Sequence, residues 1–221
     1  MKPFEAALRR AGYDRVAGVD EAGRGPLAGP VAAAAVVLPP DWRRPAGLAD
    51  SKALSGRQRL RLFRQIMSTA QSVGIGVAGL PEIEAHNILQ ASRLAMALAV
   101  GALRPAADFL LVDGLLVPEL GIAQRAIVAG DTCCASIAAA SIIAKVTRDR
   151  LMHGLDSAYR GYGFARHKGY ATPQHLRAIE ILGPCSLHRA TFAPVATQMT
   201  IRMARPPTNF AQAFSQVCIS E

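Results

Sequence analysis

The run Val19-Asp20-Glu21-Ala22-Gly23-Arg24-Gly25 places two adjacent carboxylates directly ahead of a Gly-Arg-Gly turn. Side-by-side carboxylates resist joint ionisation unless a cation lies between them. The glycines leave main-chain N–H and C=O groups open to close approach by a ligand. Taken alone, the pair also fits a hairpin with a solvated acidic rim. The theme recurs twice: Phe109-Leu110-Leu111-Val112 ends in Asp113-Gly114, and Ala126 to Ala129 ends in Gly130-Asp131. Hard divalent cations such as Mg²⁺ or Mn²⁺ take oxygen ligands and pair with phosphates. They would give a protein of net charge +9 a reason to gather four acids in one place. Each acid by itself equally fits a helix cap or a turn.

Short strands must carry these acids. Val16 to Asp20 and Pro30 to Leu38 read as antiparallel strands joined by the glycine-rich turn. Ser55-Gly56-Arg57-Gln58 has the form of a capping box and opens a helix with Leu60, Phe63, Ile66 and Met67 on one face. Val73 to Leu80 reads as a strand, and Pro81 opens a second helix that Pro105 stops. Thr132 to Met152 reads as one Ala/Ile-rich helix with Asp131 at its N-cap. Alternating strands and helices predict an α/β layered domain, in which carboxylates at neighbouring strand ends converge on one crevice.

The 221 residues, 51% hydrophobic and 19% charged, exclude general disorder and suffice for one domain. The pI is near 10.0, the excess being arginine more than lysine, which favours a polyanionic partner. No apolar run spans a bilayer and no secretory signal is visible, so a reducing cytoplasm is expected. Cys133, Cys134, Cys185 and Cys218 lack metal-ligand spacing, and the first two read as small hydrophobes. Tyr159 to Tyr170 interleaves aromatic, basic and glycine residues, as where bases stack and phosphates are gripped. Gly183 to Arg189 reads as further basic surface, and residues 201–221 as a loosely attached tail.

Several of these stretches together resemble ribonuclease HII: Val19 to Val31, Asp50-Ser51-Lys52, Val112-Asp113-Gly114, Gly130-Asp131, Ala139 to Asp149, and His167-Lys168-Gly169-Tyr170. The resemblance runs in order from about Val16 to Pro194. It implies an RNase H-like fold: a mixed five-stranded sheet flanked by helices, in a catalytic domain over residues 1–200. Residues 156–200 would form a helical extension that clamps the duplex. The implied activity is endonucleolytic cleavage of RNA in RNA–DNA hybrids and on the 5′ side of single ribonucleotides in duplex DNA, leaving 3′-hydroxyl and 5′-phosphate ends. By position, the resemblance makes Asp20, Glu21, Asp113 and Asp131 catalytic carboxylates that bind two Mg²⁺ or Mn²⁺ ions.

It also implies that Gly23, Arg24 and Gly25 sense the 2′-hydroxyl and that Tyr170 stacks on the neighbouring deoxyribose. Ser51, Lys52, Lys145, Arg148, His167 and Lys168 would touch the nucleic acid, and the protein would act as a monomer. Leu115 and Ala53 depart from the pattern, where asparagine and a second basic residue are frequent, without touching the proposed ligands. Asp149 reads as an ion-pair partner on its helix. The related type HIII, with an extra N-terminal domain, fits less well, because about fifteen residues precede the first strand. A silent hybrid-binding module would be expected to lose some of the four acids, and a basic scaffold protein would not need them.

Overall fold

A computed structural model describes residues 4–43, 45, 48 and 54–204. The chain runs α1 (Phe4–Arg10), β1 (Val16–Ala22), β2 (Val31–Val37), α2 (Gly56–Thr69), β3 (Ser72–Ala78), α3 (Leu80–Gly101), β4 (Phe109–Asp113) and β5 (Gln124–Ile127). It continues through α4 (Gly130–Cys133), α5 (Ala135–Asp156), α6 (Phe164–His167), α7 (Pro173–Leu182) and α8 (Ala193–Ala204). The five strands form one mixed sheet in the order β3-β2-β1-β4-β5. β1 and β2 are antiparallel, as are β2 and β3, whereas β4 runs parallel to both β1 and β5.

Strand alternation decides what each face buries. Ala17 and Val19 of β1 and Val112 of β4 join Ala95, Met96 and Ala99 of α3 in one core. Ala34 and Val36 of β2 face the other way, against Leu62 and Ile66 of α2 and the Ala138–Ile143 stretch of α5. Gly18 lies on that second face. A Cβ there would fall 2.0 Å from the main-chain carbon of Ser136, so only glycine lets α5 approach this closely.

The Ser55–Gln58 capping box is present, with the Ser55 N–H donating to Gln58 Oε1 at 2.9 Å and the Gln58 N–H to Ser55 Oγ at 3.3 Å. Other boundaries differ from the sequence reading. The last strand lies at 124–127 rather than 126–129. Asp131 is not an N-cap: the chain turns through left-handed Ala129 (φ 52°), and Asp131 falls inside α4. Extended Cys134 separates α4 from α5, so the expected single helix is two. Glu5 then caps α5 from α1, its Oε1 accepting both the Ser136 N–H and hydroxyl at 2.9 Å. Asn87 (φ 68°) interrupts α3, and its Oδ1 caps the resumed helix at Leu89 and Gln90. Residues 201–204, expected in the tail, extend α8, while 205–221 lie outside the described residues. Among the described residues, no helix is long and apolar enough to cross a membrane.

Candidate active site

The parallel pairing of β1 with β4 sets Val19 opposite Val112. Asp20 and Asp113 therefore leave neighbouring strands one step later, on the face that α5 covers. The α4 turn follows β5 and brings in Asp131, with the Gly130 N–H donating to Asp113 Oδ1 at 2.7 Å. Glu21 reaches the same place from the end of β1. All four carboxylates line one cleft of about 350 Å³, together with Gly23, Arg59, Ser141, Lys145 and Tyr170.

Electrostatics in this cleft run against ionisation. Asp20 is 6% exposed, and burial, then Glu21, then Asp113, hold its carboxyl well above the usual range. A hydrogen bond with Ser141 and the Glu21 N–H at 2.7 Å offset this only in part. Burial also raises Glu21, although Arg24 Nη1, 3.2 Å from its Oε1, pulls it back. Glu21 Oε2 is buried without a hydrogen-bond partner. Among the described residues, no three His, Cys, Asp or Glu side chains form a ready-made metal cage. The acids ring the cleft, and the orphaned Glu21 oxygen and all-carboxylate donor set suit a hard divalent cation.

The other predicted contacts divide. Tyr170, 42% exposed, stands at the cleft with Lys145 Nζ 5.5 Å and Arg148 Cζ 5.8 Å from its ring centre. Lys145 is also tied to Asp149 at 2.7 Å, the ion pair expected of that acid. Arg24 and Gly25 are exposed beside the cleft. Ser51, Lys52 and the departure at Ala53 lie outside the described residues.

Arg148 is a correction, because its side chain is 0% exposed and donates to the carbonyls of Pro30, Lys168 and Ala28 at 2.9–3.1 Å. A guanidinium so enclosed braces the turn and cannot also meet a phosphate. His167 is likewise buried, its Nδ1 accepting the Gly169 N–H and its Nε2 meeting the Tyr162 carbonyl. Lys168 is half-buried in a left-handed conformation, and its ammonium donates to the Ala165 carbonyl. The aromatic and basic stretch is thus mostly a small core: Tyr162 and Phe164 stack 5.4 Å apart, and only Tyr170 of its aromatic rings lies at the cleft.

Gly183 to Arg189 is not basic surface either, since His188 and Arg189 are buried. The sequence reading also missed Ser141 and Arg59 at the cleft. Ser141 lies four residues before Lys145 on α5, the spacing that puts two side chains on one helix face.

The family profile of ribonuclease HII matches residues 17–195. The ribonuclease HII of Geobacillus thermodenitrificans is 53% identical over 199 residues, covering 90% of this chain and 76% of that protein. That of Syntrophotalea carbinolica is 54% identical over 192 residues, covering 87% of this chain and 91% of that protein. Among solved structures, ribonuclease H2 from Pyrococcus horikoshii superposes with a TM-score of 0.72 at 25% identity, covering 86% of this chain and 100% of that one. Sequence and fold agree, and the chain belongs to the ribonuclease HII family, ribonuclease H endonucleases that act on RNA–DNA hybrids.

Proposed function

We propose that this chain hydrolyses the RNA strand of RNA–DNA hybrids in a metal-dependent reaction and cuts on the 5′ side of single ribonucleotides in duplex DNA. The supporting observation is that four carboxylates, from the ends of β1 and β4 and from α4, line one cleft, inside a protein of net charge +9. Asp20, Glu21, Asp113 and Asp131 would hold Mg²⁺ or Mn²⁺. Such ions lower the pKa of a water nucleophile and offset charge on the leaving 3′-oxygen. The chain's own side chains then have separate tasks. Ser141 orients the Asp20 carboxylate, and Arg24 orients Glu21. Lys145, at the same cleft, offers a cation to the phosphodiester.

Gly23 lines the cleft and Arg24 and Gly25 are exposed beside it, where their main-chain groups would meet the ribonucleotide. The 2′-hydroxyl they would read is what distinguishes RNA from DNA locally. Tyr170 offers an exposed ring face for the adjacent sugar. Residues 156–200, which supply Tyr170, would act as the clamp of a 1–200 catalytic domain. Such an activity serves DNA repair and replication in the cytoplasm.

The test is cleavage of a DNA duplex bearing one ribonucleotide, with Mg²⁺, Mn²⁺ or EDTA, mapped to the nucleotide. A metal-dependent cut on the 5′ side, leaving a 3′-hydroxyl, is expected. Cutting only within long RNA tracts would remove the roles given to Gly23–Gly25 and Tyr170. Tight hybrid binding without cleavage under either metal would overturn the enzymatic reading.

A further inference from the structure

One buried side chain far along the sequence grips the turn that is proposed to read the ribonucleotide. Arg189 is 0% exposed and has no carboxylate partner among the described residues. Its guanidinium spends all its donors on main-chain oxygens of one short segment. Nη2 donates to the Gly23 carbonyl at 2.6 Å and to that of Gly29 at 2.8 Å. Nη1 donates to the carbonyls of Arg24 and Pro26 at 2.8 Å, and Nε to Gly29 at 3.2 Å. The backbone reinforces the grip, with the Arg189 N–H on the Leu27 carbonyl and the Gly29 N–H on that of Leu187. A trans peptide holds its C=O and the following N–H antiparallel. Pinning the Gly23 and Arg24 carbonyls inward therefore turns the N–H groups of Arg24 and Gly25 away from the guanidinium.

The neighbouring residue reaches the other proposed recognition element. The Tyr170 carbonyl can only accept, so His175 donates from Nδ1 at 2.9 Å. His175 Nε2 then accepts from His188 Nε2 at 3.1 Å. His188 Nδ1 accepts the Cys185 N–H at 2.9 Å. Two neutral imidazoles, His175 with its proton on Nδ1 and His188 with its proton on Nε2, thus connect residues 185–188 to the backbone of Tyr170.

We infer that Arg189 is a positioning residue for ribonucleotide recognition: its guanidinium sets the shape of the Gly23–Gly29 turn, while His188 beside it sets Tyr170 through His175. This rests on the junction-reading role proposed above. A flat fork with five donors matches several carbonyls at once, whereas a lysine ammonium is a point donor with three. Burial and the nearby Arg148 cation lower Arg189 to about 9, so it remains charged at neutral pH.

The experiment compares wild-type protein with Arg189→Lys and Arg189→Met. Cleavage is measured on a single-ribonucleotide duplex and on a continuous RNA–DNA hybrid, alongside thermal unfolding. In Arg189→Lys the ratio of the two kcat/KM values should fall about tenfold or more, the scale of one lost charge-assisted hydrogen bond, with scattered cut positions. Arg189→Met should fall further. A ratio and cut position unchanged in folded Arg189→Lys would overturn the inference while leaving the proposed function intact. Failure of the wild-type protein itself to cut at the junction would instead sink the function on which the inference rests.

Should neither variant fold, the Arg189 Nε–H signal of metal-free wild-type protein can be followed by NMR. A shift on adding a ribonucleotide-bearing duplex, larger than with the all-DNA duplex, is expected. Equal responses to the two duplexes would count against the role.

Discussion

Asp20→Asn should abolish cleavage and, without metal, make the protein more stable. The substitution preserves shape and keeps an Oδ1 that can accept the Glu21 N–H, now 2.7 Å from Asp20. What disappears is a charge on a side chain 6% exposed, which burial, Glu21 and Asp113 all oppose. A buried polar group with inadequate compensation costs about 1–3 kcal/mol, and more when charged. For a chain of this size each kcal/mol moves the unfolding midpoint about 2–4 °C. Asp20→Asn in EDTA should therefore unfold roughly 2–12 °C above wild type. The gap has a pH sign. Because the folded-state pKa of Asp20 is raised, the wild-type protein binds more protons folded than unfolded, and acid relieves it. The two proteins should converge as pH falls through that raised value. Adding Mg²⁺ or Mn²⁺ should also narrow the gap, since a ligand of the folded state stabilises the protein with the intact site more. Thermal unfolding in EDTA at several pH values, then with metal, measures all of this. An Asp20→Asn protein that is less stable than wild type in EDTA would refute the strained-carboxylate reasoning, and one that retains turnover would refute the ligand assignment.

Tyr170→Ala removes an exposed ring that carries little of the core, so the unfolding midpoint should hold. Cleavage at single ribonucleotides should drop by the ~1–3 kcal/mol of one stacked group, roughly 5- to 150-fold; no change on either substrate rejects the stacking role. Gly18→Ala would push a Cβ to 2.0 Å from the Ser136 carbonyl carbon and 2.2 Å from the Ile137 nitrogen. Neither backbone atom can step aside, so a loss at or above the ~1–3 kcal/mol of overpacking is expected in urea unfolding. An unchanged urea midpoint would show that α5 can move off β1.

His175 and His188 are each lowered to about 4, chiefly by burial, with His167 and the pair's own repulsion adding to it. Their unfolded forms take up protons first, so stability that is complete above pH ~6.5 drains away as pH falls toward 4, by up to roughly 3 kcal/mol per group. Urea midpoints of wild-type protein and His188→Gln between pH 7 and 4.5 test this. The variant should lose less stability with acid, and parallel curves would contradict the single-tautomer relay.

The acids at the site were legible because strand ends and glycine turns leave local marks. A short apolar run followed by Asp-Gly or Asp-Glu-Ala-Gly is written in a few consecutive residues. What those marks lack is depth. Arg148, Arg189 and His188 are the same residue types whether they face phosphate or protein carbonyls; composition placed Arg189 and His188 at the surface, and the resemblance placed Arg148 on the nucleic acid. For Arg148 a corrective signal existed: Ala144 and Met152 lie four residues to either side on α5, and both are buried, so the helix phase carries Arg148 inward with them. For Arg189 there was none. It follows an irregular stretch with no period, and its partners lie 160 to 166 residues away in sequence. Asp131 failed as an N-cap for a related reason, since a left-handed alanine at 129 is held by tertiary structure and not by alanine's own preference. A turn built to expose its own main chain to a substrate must satisfy its remaining carbonyls from behind. A buried arginine arriving from another part of the chain does so without spending the turn's own residues. The feature hardest to see in the sequence is therefore the one that the visible Gly-Arg-Gly motif most requires.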